Sequence, residues 1–91
     1  MKYSIVLHER ERELLRSLSP VLKQKIRGSL DAILSDPLQG KALVEDLKGL
    51  RSYRVGNIRI IYKVDHFVIH LIAIGPRSII YQRVTQELKN K

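Results

Sequence analysis

Residues Leu47–Tyr81 read LKGLRSYRVGNIRIIYKVDHFVIHLIAIGPRSIIY, and the fold turns on the reading of Gly56-Asn57 inside them. Glycine followed by a polar residue, between two runs rich in β-branched and aromatic residues, is the pattern of a two-residue type II′ hairpin. That turn fixes a register. Val55 faces Ile58, Arg54 faces Arg59, Tyr53 faces Ile60, Ser52 faces Ile61 and Arg51 faces Tyr62. Asp65-His66 is read as a second two-residue turn. Val64 then faces Phe67, Tyr62 faces Ile69, and Ile61 faces His70.

Strand side chains alternate between faces. One face gathers Tyr53, Val55, Ile58, Ile60, Tyr62, Val64, Phe67, Ile69, Leu71 and Ala73, and is expected to be core. The other gathers Ser52, Arg54, Arg59, Ile61, Lys63, Val68, His70, Ile72 and Ile74. It mixes cations with aliphatics and is expected to be only partly buried. Arg54 opposite Arg59 is its telling pair. Like charges directly across strands cost tenths of a kcal/mol up to ~1. Either both side chains splay into water, or both guanidiniums aim at one anion, for which planar, bidentate arginine suits phosphate.

Outward from this meander, Gly75-Pro76 breaks the chain. Arg77 is expected on the same surface at the part distal to Gly56, within reach of Arg59. Ile80, Val84 and Leu88 have helical spacing, although Ile79–Tyr81 also suits a short strand. Upstream, Tyr3–Leu7 is a first strand. Glu9–Arg16 alternates acids and bases with Leu14, Leu15 and Leu18 on one side, the pattern of an amphipathic helix with a solvated, ion-paired outer face. Ser19-Pro20 starts a second helix as N-cap and first helical position. Leu22, Ile26, Leu30, Ile33 and Leu34 give it an apolar stripe, and Asp36-Pro37 ends it. Leu38–Gly49 reads as connecting chain that packs down. The expectation is a single α+β domain over residues 1–91. It has a small antiparallel sheet in the order β-α-α-β-β-β, a short C-terminal strand or helix, and a helical hairpin on one face.

The chain has 17 Lys and Arg against 9 Asp and Glu, a net charge of +8. The excess is local. Residues 1–47 hold 8 basic and 7 acidic side chains, residues 48–91 hold 9 and 2. Such a body fits a polyanionic partner. With no cysteine there is no disulfide, thiolate nucleophile or thiolate metal site. His8, His66 and His70 lack metal-ligand spacing, and no metal or other cofactor is expected. No apolar run is long enough for a membrane span and no signal peptide is visible, so a cytoplasmic protein without membrane contact is expected.

RVGNIRIIY followed by GPRSIIY, with the element order and length, resembles the RelE/ParE superfamily of type II toxin–antitoxin toxins. The resemblance covers essentially the whole chain. It implies one of two activities: ribosome-dependent cleavage of mRNA in the A site, as in RelE-like members, or inhibition of DNA gyrase, as in ParE-like members. The RelE-like catalytic pattern falls on Arg54, Arg59, Arg77 and Tyr81, which favours a metal-independent endoribonuclease. Some relatives carry a second basic residue two positions before Arg54, where this chain has Ser52. Arg59 and Arg77 would stabilise transition-state charge, Arg54 would hold the phosphate or carry a proton, and Tyr81 would act as acid, base or stacking partner. His70 is the rival base, since imidazole titrates near ~6.5; a partly buried structural role is its other reading. Lys48, Arg51, Lys63, Arg83, Lys89 and Lys91 would bind ribosomal RNA phosphates. The resemblance also implies an antitoxin whose acidic segment wraps the toxin, and operator DNA reached only through that antitoxin. A non-catalytic module working with an antitoxin is the remaining alternative.

Overall fold

The computed structural model describes residues 2–90. The elements run β1 Ser4–Val6, α1 Glu9–Ser17, α2 Pro20–Ser35, β2 Lys41–Ala42, a 3-10 turn Glu45–Leu47, β3 Arg51–Val55, β4 Ile58–Asp65, β5 Val68–Pro76 and α3 Arg77–Lys89. One five-stranded sheet has the order β1-β5-β4-β3-β2. It is antiparallel except at one edge, where β1 runs parallel to β5 with Ile5 beside Ile69.

The Gly56-Asn57 hairpin has the expected register at all five pairs, Arg54 opposite Arg59 among them. Gly56 takes a positive φ of 59°, as the first turn position of this hairpin requires. The second hairpin differs. Its turn is His66-Phe67, so Asp65 pairs with Val68 and Tyr62 with Leu71. His66 carries the left-handed φ of 55°. Phe67, expected in the core, is therefore at a turn and 45 % exposed, leaning on Tyr3 at a 5.5 Å ring separation. A bulge between Ile61 and Tyr62 then changes the β5 register, pairing Ile61 with Ala73 and Ile60 with Ile74. One extra residue exchanges the faces of everything beyond it. Ile74 thus joins the core under α1 and α2, and Ala73 the opposite face.

That first core holds Ile26 and Ile33 of α2 against Ile60, Tyr62, Ile69, Leu71 and Ile74 of the sheet. α2 begins as expected, the Ser19 hydroxyl accepting from the Leu22 N–H at 3.3 Å ahead of Pro20. The second face is no half-exposed surface. α3 lies on it, and Leu50, Ile61, Ala73, Ile80 and Val84 form a second buried cluster. The C-terminal segment is helical from Arg77 onward, with no intervening strand.

Leu38–Gly49 is also more ordered than a connection, carrying β2 and the 3-10 turn. Tyr62 holds it in place. Its buried hydroxyl donates to the Pro37 carbonyl at 2.7 Å and accepts from the Gly40 N–H at 3.1 Å. Burial raises the Tyr62 pKa above the usual phenol value, against the Gly40 N–H and Arg51, which lower it. Gly40 allows this approach, since a Cβ there would sit 2.9 Å from the Tyr62 ring. Tyr62→Phe strands two buried backbone groups, each costing ~1–3 kcal/mol. The urea midpoint should fall by an amount equivalent to about 2 kcal/mol, with the slope unchanged.

α1 departs from an all-solvated charged face at Glu11, which is 3 % exposed. Burial raises its pKa, with Glu87 adding to the rise and Arg10, Arg83 and His8 opposing it. A carboxyl with a raised folded-state pKa contributes stability below the unfolded value of ~4.3 and loses it as pH rises through the folded value. Ionised Glu11 is therefore a cost at neutral pH. Glu11→Gln should melt higher than wild type at pH 7, and the difference should close as pH falls toward 4. Around Glu11, Arg10 of α1 and Glu87 of α3 form an ion pair that ties the two helices together.

Candidate functional site

The tight turn sets Arg54 and Arg59 opposite each other at the turn end of the β3–β4 hairpin, on the face that α3 partly covers. Arg54 is exposed and bends along its own strand, its Nε donating to the Gly56 carbonyl at 3.2 Å. Arg59 is half-buried, and its Nε is out of solvent with no hydrogen-bond partner. Opposite Arg59 on β5 is Gly75. A Cβ there would come 3.0 Å from Ile80 Cδ1 and 3.9 Å from Arg83 Nη1. The bare glycine spares the Ile80 tip a shift of a few tenths of an ångström as α3 seats against the strand beside Arg59.

Because β5 runs back along β4 until Pro76 is opposite Ile58, the chain leaves the sheet at the Gly56-Asn57 turn. Arg77 is thus proximal to that turn and not distal from it. Its backbone N–H donates to the Asn57 carbonyl at 3.0 Å. Its side chain is exposed beside an open concavity lined by Asn57, Pro76, Arg77 and Ser78. Arg54, Arg59 and Arg77 share this end of the sheet. None of the three has an ion pair among the described residues.

Tyr81 lies one helical turn further along α3. It packs against the second core, and its hydroxyl is 2.8 Å from Ser52 Oγ. Ser52 pairs with Ile61, two residues along β4 from Arg59, a step of ~7 Å. Sequence reasoning took Ser52 only as a missing cation. Its place on the Arg54 face was legible in the register, but its partner was not.

The remaining basic residues are scattered. Lys48 and Lys63 are exposed. Arg51 is drawn into the fold, its Nη1 donating to the Leu38 and Gly40 carbonyls at 3.0 and 2.8 Å. Arg83 Nε is 3.7 Å from Glu87, and Lys89 Nζ 3.9 Å from Asp46. Lys91 lies outside the described residues. His70 pairs with Lys63, four residues and ~13 Å along β4 from Arg59, so the structure does not bring it to the arginines. No three His, Asp or Glu side chains gather as a metal site among the described residues, and none of the described helices is long and apolar enough to cross a membrane.

The fold is that of known toxins. The RelBE2 toxin–antitoxin complex from Mycobacterium tuberculosis contains a chain that superposes with a TM-score of 0.73 at 25 % identity, over 85 % of this chain and 100 % of that one. An arginine-to-alanine double mutant of Escherichia coli RelE in the free state gives 0.76 at 19 % identity, over 99 % and 98 %. The RelE–RelB complex from Pyrococcus horikoshii gives 0.70 at 24 %, over 85 % and 97 %. No curated protein matches the sequence. Residues 9–81 match the family described as the ParE toxin of the type II toxin–antitoxin system, parDE. With most of its length in that match and its fold shared with the RelE toxins, this chain belongs to the ParE toxin family, within the RelE/ParE superfamily of type II toxins.

Proposed function

We propose that this toxin is a metal-independent endoribonuclease that cuts mRNA on the ribosome. The observation that carries the reading is the placement of Arg54, Arg59 and Arg77 at one end of the sheet without an acidic partner. A cross-strand arginine pair costs stability, and an arginine Nε buried without a partner is costly too. A phosphate between the guanidiniums relieves both. Cleavage would proceed by attack of the ribose 2′-hydroxyl on the adjacent phosphorus. Arg59 and Arg77 would offset the charge that builds on the phosphoryl oxygens, and Arg54 would hold the phosphate. The ribosome would supply the in-line geometry that a small open site cannot impose.

Two of the three superposed chains come from toxin–antitoxin complexes, which supports an antitoxin here too. An acidic segment of it would mask the cations, and the pair would reach operator DNA through the antitoxin. The test is primer extension on ribosomes programmed with a defined mRNA and purified toxin. Cuts phased to codons are expected. The family match favours a second reading, inhibition of DNA gyrase. Intact mRNA together with toxin-dependent gyrase–DNA cleavage complexes would replace the first reading with the second.

A further inference from the structure

Tyr81 has two chemically different uses in such a site, as proton donor or proton acceptor, and its hydrogen bond to Ser52 selects between them. Ser52 is 2 % exposed. Its hydroxyl has one hydrogen-bond partner among the described residues, the Tyr81 oxygen at 2.8 Å. Sealed from water, the serine proton has no other acceptor, and a buried donor left unpaired is costly. Tyr81 is the less buried of the two residues, so its side is the one from which water or a ligand can reach the pair. With Ser52 donating and Tyr81 accepting, the phenolic O–H turns away from the sheet.

We infer that Ser52 is a positioning residue that sets Tyr81 as the proton donor to the leaving 5′-oxygen; this rests on the endoribonuclease reading above. In the step, the 2′-oxygen bonds to phosphorus while its proton passes to water. The bond from phosphorus to the 5′-oxygen breaks, and that oxygen takes the Tyr81 proton. The products are a 2′,3′-cyclic phosphate and a free 5′-hydroxyl. The phenolate, held by the Ser52 donor, is reprotonated from water. Donation from Ser52 favours this role twice. It points the proton outward, and it stabilises the negative oxygen left behind.

A leaving-group substitution tests this. Full-length toxin is assayed on ribosomes carrying an mRNA with either the natural linkage or a 5′-bridging phosphorothiolate at the mapped cut. Sulfur departs without needing a proton. On the natural linkage Tyr81→Phe should lose ~10²–10⁴-fold, the range of general acid catalysis, and Ser52→Ala about 10-fold. Ser52→Cys, of similar size but a weak donor, should fall between wild type and Ser52→Ala. On the sulfur linkage all three should come within a few-fold of wild type, while Arg59→Ala stays slow on both. Melting curves confirm that each variant is folded. Equal losses of Tyr81→Phe on both linkages would overturn the donor role. A Ser52→Ala rate that is unchanged on oxygen, or reduced equally on both, would overturn the positioning role. If wild type cleaves neither RNA, the endoribonuclease reading itself falls, and this inference with it.

Discussion

Arg59→Ala should lower ribosome-bound mRNA cleavage by ~10²–10³-fold, the usual cost of removing one preorganised group from a developing anion, without lowering the melting temperature by more than a few degrees. The two readouts move apart because this side chain is held against the interest of the fold. It faces Arg54 across the strands and its Nε is buried without a partner. Removing it relieves up to ~1 kcal/mol of like-charge repulsion, set against the packing of its aliphatic stem. Arg59→Lys separates charge from shape. It keeps the cation but loses the planar fork, so an intermediate rate is expected. Primer extension and calorimetry on the same preparations check both halves. A variant that melts far lower and cleaves in proportion to its folded fraction would make Arg59 a structural residue.

Ile61→Ala should destabilise the domain by ~2–5 kcal/mol, the range for truncating a fully buried isoleucine. Ile61 is 0 % exposed, between the sheet and α3, and clusters with Leu50, Ala73, Ile80 and Val84. A half-exposed surface position would lose well under half of that. Chemical denaturation separates the two. Ile69→Ala, in the core under α2, gives the reference loss for an isoleucine of the opposite face. Comparable values for the two would establish that α3 closes a core of its own.

The legible and the illegible parts of this fold divide on physical lines. Gly56-Asn57 has one short turn open to it, and a one-residue slip there would move every core side chain to the wrong face. The register of β3 on β4, and with it the Arg54–Arg59 pair, could therefore be read from the residues alone. The β4–β5 hairpin lacked such a signal. Asp65, His66 and Phe67 carry no glycine, and a histidine takes the left-handed position. The bulge at Ile72, opposite the Ile61-Tyr62 step, is silent in sequence, because Ile72, Ala73 and Ile74 are apolar. A slip in that run breaks no hydrophobic pattern. The burial of the second face was itself unreadable while the C-terminal segment hung between strand and helix. Its Ile80, Val84, Leu88 spacing was the one clue that a helix would lie over Ile61. For the site, the arginines were legible because a turn places them. Ser52 with Tyr81 was not, because their contact joins residues 29 apart in sequence through the docking of α3.

The parallel pairing of β1 with β5 has a consequence for when this toxin comes into being. Ser4–Val6 find their neighbours at Val68–His70, with α1, α2 and β2 to β4 made between them. No nascent fragment shorter than that can complete the sheet. Contacts this far apart also raise the contact order, so the last assembly step is slow relative to the local formation of α1 and α2. Arg77 and Tyr81 follow β5 in the chain and reach their places only when α3 docks on the finished sheet. A nascent chain that has not yet reached α3 thus carries the hairpin arginines but not the assembled site.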